Sequence, residues 1–234
     1  MSAVATNESA AELDIAALGL RATNRTLQSA GAGTNFTVAN PQGLHAIAAG
    51  LNAPITVDVL GHAGYYCAGM NQEATVRVHG TAGVGVAENM MSGRVEVSGR
   101  AGQAAGATAH GGLLVIGGDA AARCGISLKG ADIVVRGSVG HASAFMAQTG
   151  RLVVLGDAGP GLGDSIYEAR VYVRGEAPDL GADCVQKEMR PQHLQELAAL
   201  LHQAGVPDVG ADEFRRYGSA RKLYHWHPSN AGVV

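Results

Sequence analysis

Large rings are scarce in this chain of 234 residues, which holds three Phe, one Trp and six Tyr. A core organised around aromatic packing is excluded, and small and aliphatic side chains must do the filling. Cysteine is also rare. Three cysteines, odd in number and far apart, fit a reducing cytoplasm better than a disulfide framework. Charge is sparse too: 16% of residues are charged and the formal net charge is -3, so the basic stripe of a nucleic-acid binder is missing. No apolar run approaches the roughly 18 residues of a membrane span. The opening stretch MSAVATNESAAELD has no basic residue and no apolar centre, so no secretory signal is expected in it and a cytoplasmic location is. Against these shortages stand 34 glycines and a hydrophobic fraction of 47%, enough for a sizeable core and against wholesale disorder. The glycines do not fall at every third residue, which excludes collagen.

Their spacing explains the surplus. Gly61, Gly80, Gly99, Gly118, Gly137, Gly156 and Gly175 follow one another at intervals of 19 residues without insertion or deletion. In that frame the segments read ITVDVLGHAG, ATVRVHGTAG, GRVEVSGRAG, GLLVIGGDAA, ADIVVRGSVG, GRLVVLGDAG and ARVYVRGEAP. Such a period is the mark of a repeat architecture. Four residues before each anchor stand Val57, Val76, Val95, Leu114, Ile133, Leu152 and Val171; two before it stand Val59, Val78, Val97, Ile116, Val135, Val154 and Val173. Alternate residues of a strand share a face, so these two columns form an inward aliphatic wall. A third column, seven after the anchor, is always small: Ala68, Ala87, Gly106, Gly125, Ala144, Gly163 and Ala182. It marks where the chain turns or passes close to itself, and the anchor glycines are read as backbone that a side chain would strain.

A unit with one strand and small corners cannot bury its own core, but copies stacked at about 4.8 Å can. The sequence therefore predicts an all-β protein, a parallel β-helix of about seven coils and about 34 Å in length. It should be right-handed by the general bias of parallel crossovers. Three regions follow: an N-terminal helix and lead-in strands over 1–50, the β-helix over 51–188, and a C-terminal helix with an aromatic and basic docking tail over 189–234. The first contains helical spacing at Leu13, Ala16, Ala17 and Leu20 within residues 8–30, then short strands at Phe36–Val38 and Leu44–Ala48. The last opens with Pro191 in a helical first turn and stops at Gly205. Its tail, ADEFRRYGSARKLYHWHPSNAGVV, is suited to docking either on the coil or on a partner. The outward column reads Asp58, Arg77, Glu96, Val115, Val134, Val153 and Tyr172, charged in three coils and mostly apolar afterwards. An apolar outer strip must be covered, by helix 191–204 or by another subunit.

Candidate chemistry is thin. Cys67 and Cys124 share a column three coils apart, about 14 Å, too far for a bond or a shared metal, and Cys184 stands elsewhere. No CxxC occurs, so the three are read as small core residues rather than cluster or zinc ligands. His62, His79, His110 and His141 fall in different columns, and His225 and His227 of the HWH run would need ligands from elsewhere to hold a metal. Asp164 and Asp183 share a column in adjacent coils, which would set their carboxylates near about 5 Å, the arrangement of acid–base or glycosidic chemistry. Glu88 shares that column further away, and an Asp in a turn more often bonds backbone. Glycine clusters such as GPGLG and GVGVAE lack the helix and the Lys-Ser/Thr of a phosphate loop. No GxSxG or Ser-His-Asp spacing is present. No catalytic, cofactor-binding or metal-binding residue is assigned.

The stacked coils resemble the GXGXG repeat domain at the C-terminal end of the glutamate synthase large subunit, and the repeat-bearing polypeptide of formylmethanofuran dehydrogenase. The stretches GHAGYYCAGMN, GVGVAENMMSG, GGDAAARCGISLKG, GSVGHASAFM and GDSIYEARVYVRG, with the tail FRRYGSARKLYHWH, are most similar to the stand-alone repeat subunit of N-methylglutamate synthase, also called methylamine–glutamate N-methyltransferase. The similarity runs from about residue 35 to the tail. The resemblance implies a non-catalytic brace between an amidotransferase-like subunit and a second partner that carries FMN and an iron–sulfur cluster. Together these would convert methylamine and glutamate to N-methylglutamate and ammonia. It supplies no catalytic residue for this chain. A repeat subunit of a formyl-transferring methanofuran complex is the alternative, and an independent carbohydrate-active enzyme using Asp164 and Asp183 is a third reading.

Overall fold

The computed structural model describes residues 10–221 of the chain. Nine short strands stack in parallel, two leading in and seven in the 19-residue coils: β1 Ala11–Asp14, β2 Asn35–Ala39, β3 Thr56–Val59, β4 Thr75–Val78, β5 Arg94–Val97, β6 Leu113–Ile116, β7 Lys129–Val135, β8 Thr149–Val154 and β9 Arg170–Val173. From β3 onward each strand pairs with the next at an offset of 19, so Val57, Val76, Val95, Leu114, Ile133, Leu152 and Val171 sit directly above one another. The protein is mostly β, a parallel solenoid of about seven turns with three short helices among the described residues. A second, shorter wall is the ladder Ala63, Ala82, Ala101, Ala120, Val139 and Ala158. The columns read as inward are buried and belong to one continuous core.

The third side of each turn has an unusual backbone. Residues with left-handed φ recur at every second position: Ala46, Ala48 and Gly50 in one turn, Gly85, Ala87 and Asn89 in another, and so on to Gly161, Gly163 and Ser165. Most are not glycine, although a left-handed conformation costs an L residue about 1–2 kcal/mol. Hydrogen bonds to the neighbouring turn stabilise the arc against that cost: Gly85 N–H donates to Gln103, Ala87 N–H to the Cys67 carbonyl and Asn89 N–H to Ala107. The always-small column is this arc. Leu44–Ala48, expected as a strand, is its first copy.

The anchor glycines have a different reason from the one anticipated. Only Gly61 among them has a positive φ, +140°. At five of the others a Cβ would run into the backbone of the preceding turn, and only at Gly118 is the nearest backbone atom as far as 3.3 Å. A Cβ on Gly80 would lie 2.7 Å from the Gly61 carbonyl, and one on Gly175 would lie 2.6 Å from the Gly156 oxygen. Beside them runs a side-chain ladder at the residue after each anchor. His62 Nδ1 accepts from Thr81 N–H at 3.0 Å, Asp119 from Ser138 N–H at 3.0 Å, Ser138 from Asp157 N–H at 3.0 Å, and Asp157 from Glu176 N–H at 2.8 Å. Corner amides that face no carbonyl are thus satisfied by polar side chains.

At the start, the single helix expected over 8–30 is broken into three. Leu13 lies in β1; Asp14 caps α1, Ile15–Leu18, accepting from the Ala16 amide at 3.0 Å; Gly19, with φ +78°, separates it from α2, Leu20–Gln28. At the other end the chain reverses. Strand β10, Cys184–Lys187, leads to α3, Pro191–Gln203, and the chain returns as β11, Arg215–Ser219, which inserts antiparallel between β9 and β10. The start of the tail therefore docks on its own coil, with Tyr217 in the main core and Phe214 against α3. His225 and His227 lie outside the described residues.

Candidate functional site

The outer face of the sheet divides in two. Over β3–β5 it is wet and charged, with a lattice of exposed ion pairs: Arg77 lies 3.6 Å from Asp58 and 3.5 Å from Glu96, and His79 lies 2.6 Å from Asp58. Exposed pairs of this kind each contribute at most about 1 kcal/mol. Over β6–β9 the face is dry. Val115, Val134, Val153 and Tyr172 are covered by Leu197, Leu200 and Leu201 of α3 together with Phe214, a second core on the outside of the solenoid. The apolar outer strip is thus covered by the chain's own helix. Arg94 and Arg136 hold the helix end, donating to the carbonyls of Gln203 at 3.0 Å and Ala204 at 2.9 Å, where the helix dipole favours cations.

Where α3 begins, a groove of about 680 Å³ opens between the lower rim of β7–β9 and the returning strands. Its walls carry Arg151, Arg170, Lys187, Arg190, Arg216 and Arg221, with Asp132 and Glu168 as the lining carboxylates. Most of the cations are compensated. Arg151 grips Asp132 through two bonds of 2.6 Å, which holds its guanidinium pKa up. Arg170 meets Glu196 of α3 at 2.5 Å, Arg190 meets Glu188 at 3.0 Å, and Arg221 pairs with Asp183. Arg216 donates to the Glu188 backbone carbonyl at 2.8 and 3.0 Å. His193, in the first turn of α3, is buried. Its Nδ1 accepts the Arg190 N–H at 3.1 Å, which places the neutral ring's proton on Nε2. Burial, with Arg216, Arg170 and Arg190 close by, holds its pKa below the ordinary value.

The paired-carboxylate reading fails on register. Leu162 bridges Leu180, so the last turn is one residue shorter than the period, and Ser165 N–H reaches the Ala182 carbonyl at 2.9 Å. Asp164 consequently lies under Gly181, whose Cβ position is 2.3 Å from its Cα, while Asp183 moves on by one place. Asp164 accepts from the Ser165 hydroxyl at 2.8 Å and Asp183 pairs with Arg221. They do not form a dyad. Cys67, Cys124 and Cys184 are buried free thiols, and burial pushes the first two up to about 12 and the third to about 11. The four expected histidines do not converge: His62 serves the corner ladder and His79 the outer lattice. Among the described residues no group of three or more His, Cys, Asp or Glu is placed to hold a metal. No helix among them is long and apolar enough to cross a membrane.

The groove was not visible in the repeat. One wall comes from the repeat, at β7–β9, and the other from residues that the period does not govern, in the EMRP turn and the FRRYG return. The one periodic signal that bears on it is the outward column two places ahead of the apolar strip, where Arg151 and Arg170 follow Asp132.

Glycine-anchored turns stacked as a parallel β-solenoid, with the outer strip closed by the chain's own helix, define the class of this protein. Over 222 residues the chain is 61% identical to protein GlxC of Rhizobium meliloti (strain 1021), covering 94% of this chain and 97% of that protein. It belongs to the GlxC family. No protein-family model matches it.

Proposed function

We propose that this chain is the structural subunit of a glutamate synthase-like hetero-complex, of the N-methylglutamate synthase kind. It braces an amidotransferase-like subunit against one that carries FMN and an iron–sulfur cluster. The observation that carries the reading is the continuity of the solenoid core. The core runs unbroken from Ile15 to Tyr217, and many of the side chains that could do chemistry are engaged in structure. Asp119, Ser138 and Asp157 cap amides, Asp132 and Glu196 bind arginines, and the thiols are buried. Such a body sets a distance between two partners, with the catalytic groups and cofactors on them. Its test is reconstitution. Co-expressed partners should form N-methylglutamate from methylamine and glutamate only when this chain is present, and the chain alone should turn nothing over. Full activity of the partners without it, or turnover by the isolated chain, would overturn the reading.

A further inference from the structure

The groove beside α3 is built with positive charge left over. Lys187 of β10 and Arg216 of β11 stand directly opposite each other in the antiparallel pair. Like charges in facing positions destabilise a sheet. Among the described residues neither has a carboxylate within ion-pair distance, whereas Arg151, Arg170, Arg190 and Arg221 around them each have one. A lysine on an edge strand can serve simply to prevent edge pairing. That does not explain why it faces Arg216 at the mouth of a concave site, with the His193 imidazole on the wall.

We propose that this groove binds a small anion carrying about two or more negative charges on carboxylate or phosphate groups, seated between Lys187 and Arg216. Arg216 still has a guanidinium nitrogen not used on the Glu188 carbonyl, and Lys187 supplies an ammonium. Together they present charge-assisted donors from two adjacent strands. The volume of about 680 Å³ is that of a metabolite site. This site is separate from the brace role, because its binding is measured on the full chain alone.

The test is calorimetric titration of the full chain at low ionic strength with phosphate, a phosphate monoester, succinate and citrate, and with chloride at matched ionic strength. One anion class should bind with one site per chain and raise the melting temperature, while chloride does neither. Preference for the phosphates identifies a phosphorylated ligand, and preference for succinate or citrate a polycarboxylate. Lys187→Met and Arg216→Gln should each weaken binding at least tenfold. In anion-free buffer Lys187→Met should melt no lower than the parent, because it removes a repulsion. No saturable binding by any of the four, a response equal to that of chloride, or unchanged affinity in Lys187→Met would overturn the proposal.

Discussion

Two glycine-to-alanine substitutions separate this account of the repeat from the ordinary reading of glycine. Gly125 has φ +67°, the conformation normally reserved for glycine, yet a Cβ there meets nothing closer than the Ile133 Cδ1 atom at 3.4 Å. The same column holds Ala68, Ala87 and Ala144 in other turns, all left-handed. Strain of about 1–2 kcal/mol is partly offset by the reduced freedom of the unfolded chain, about 0.4–1 kcal/mol, so Gly125→Ala should cost about 0–1.6 kcal/mol. Gly80 has no positive φ, and a rule based on backbone angles would let alanine in freely. Its Cβ, however, would lie 2.7 Å from both the carbonyl carbon and the oxygen of Gly61, where ordinary contact begins at 3.4 Å. The obstacle is backbone fixed by ladders on both sides, so the turns must part and lengthen the bonds between β3 and β4. Overpacking costs about 1–3 kcal/mol where side chains can yield; against two bonded backbones Gly80→Ala should reach about 3 kcal/mol or more. Urea denaturation of both variants, with amide exchange to locate the damage, measures the difference. If Gly125→Ala proves the more damaging, or Gly80→Ala lies within about 0.5 kcal/mol of the parent, the close-approach explanation of the 19-residue period is wrong.

The outer core makes a separate prediction. Leu197→Ala removes a fully buried side chain from the cover over Val134 and Val153, so stability should fall by about 2–5 kcal/mol and α3 amides should exchange faster; a loss below about 1 kcal/mol would mean the helix is only loosely docked. Because the pKa of His193 is held below its usual 6.5 in the folded state, the unfolded chain binds more protons below that pH. Stability should therefore fall as pH drops from 6.5 towards the folded value. His193→Gln keeps an acceptor for the Arg190 amide and should flatten the melting-temperature profile between about pH 7 and pH 5; an unchanged slope would assign it to other groups. Finally, thiols raised to about 12 at Cys67 and Cys124 should resist alkylation at pH 8 in the native protein and react fully in urea, whereas rapid native labelling would contradict their burial.

The walls of the solenoid were legible because strand periodicity and repeat period reinforce each other: Val57, Val76 and Val95 announce both a face and a stack. The outer strip and helix 191–204 were legible as complementary surfaces, although only the structure pairs them. What the sequence hid is local. Ala46 and Ala48 look like strand residues because nothing in an alanine announces a left-handed backbone, which the neighbouring turn's carbonyls impose. The corner ladder was written in plain sight, as polar residues after each anchor from His62 to Glu176, but its meaning depends on amides one turn above. Asp164 and Asp183 were misaligned because a final turn one residue short leaves the anchor glycines in phase while shifting the arc. Lys187 and Arg216 could not be brought together at all, since the antiparallel return of β11 lies outside the repeat.

The central claim, that this solenoid is a brace within a glutamate synthase-like assembly, is tested most directly by native mass spectrometry of the chain co-expressed with an amidotransferase-like and an FMN-dependent synthase-like subunit. The account predicts one stoichiometric hetero-complex containing all three, from which no partner pair survives when this chain is omitted. A free monomer beside a stable complex of the other two would contradict it.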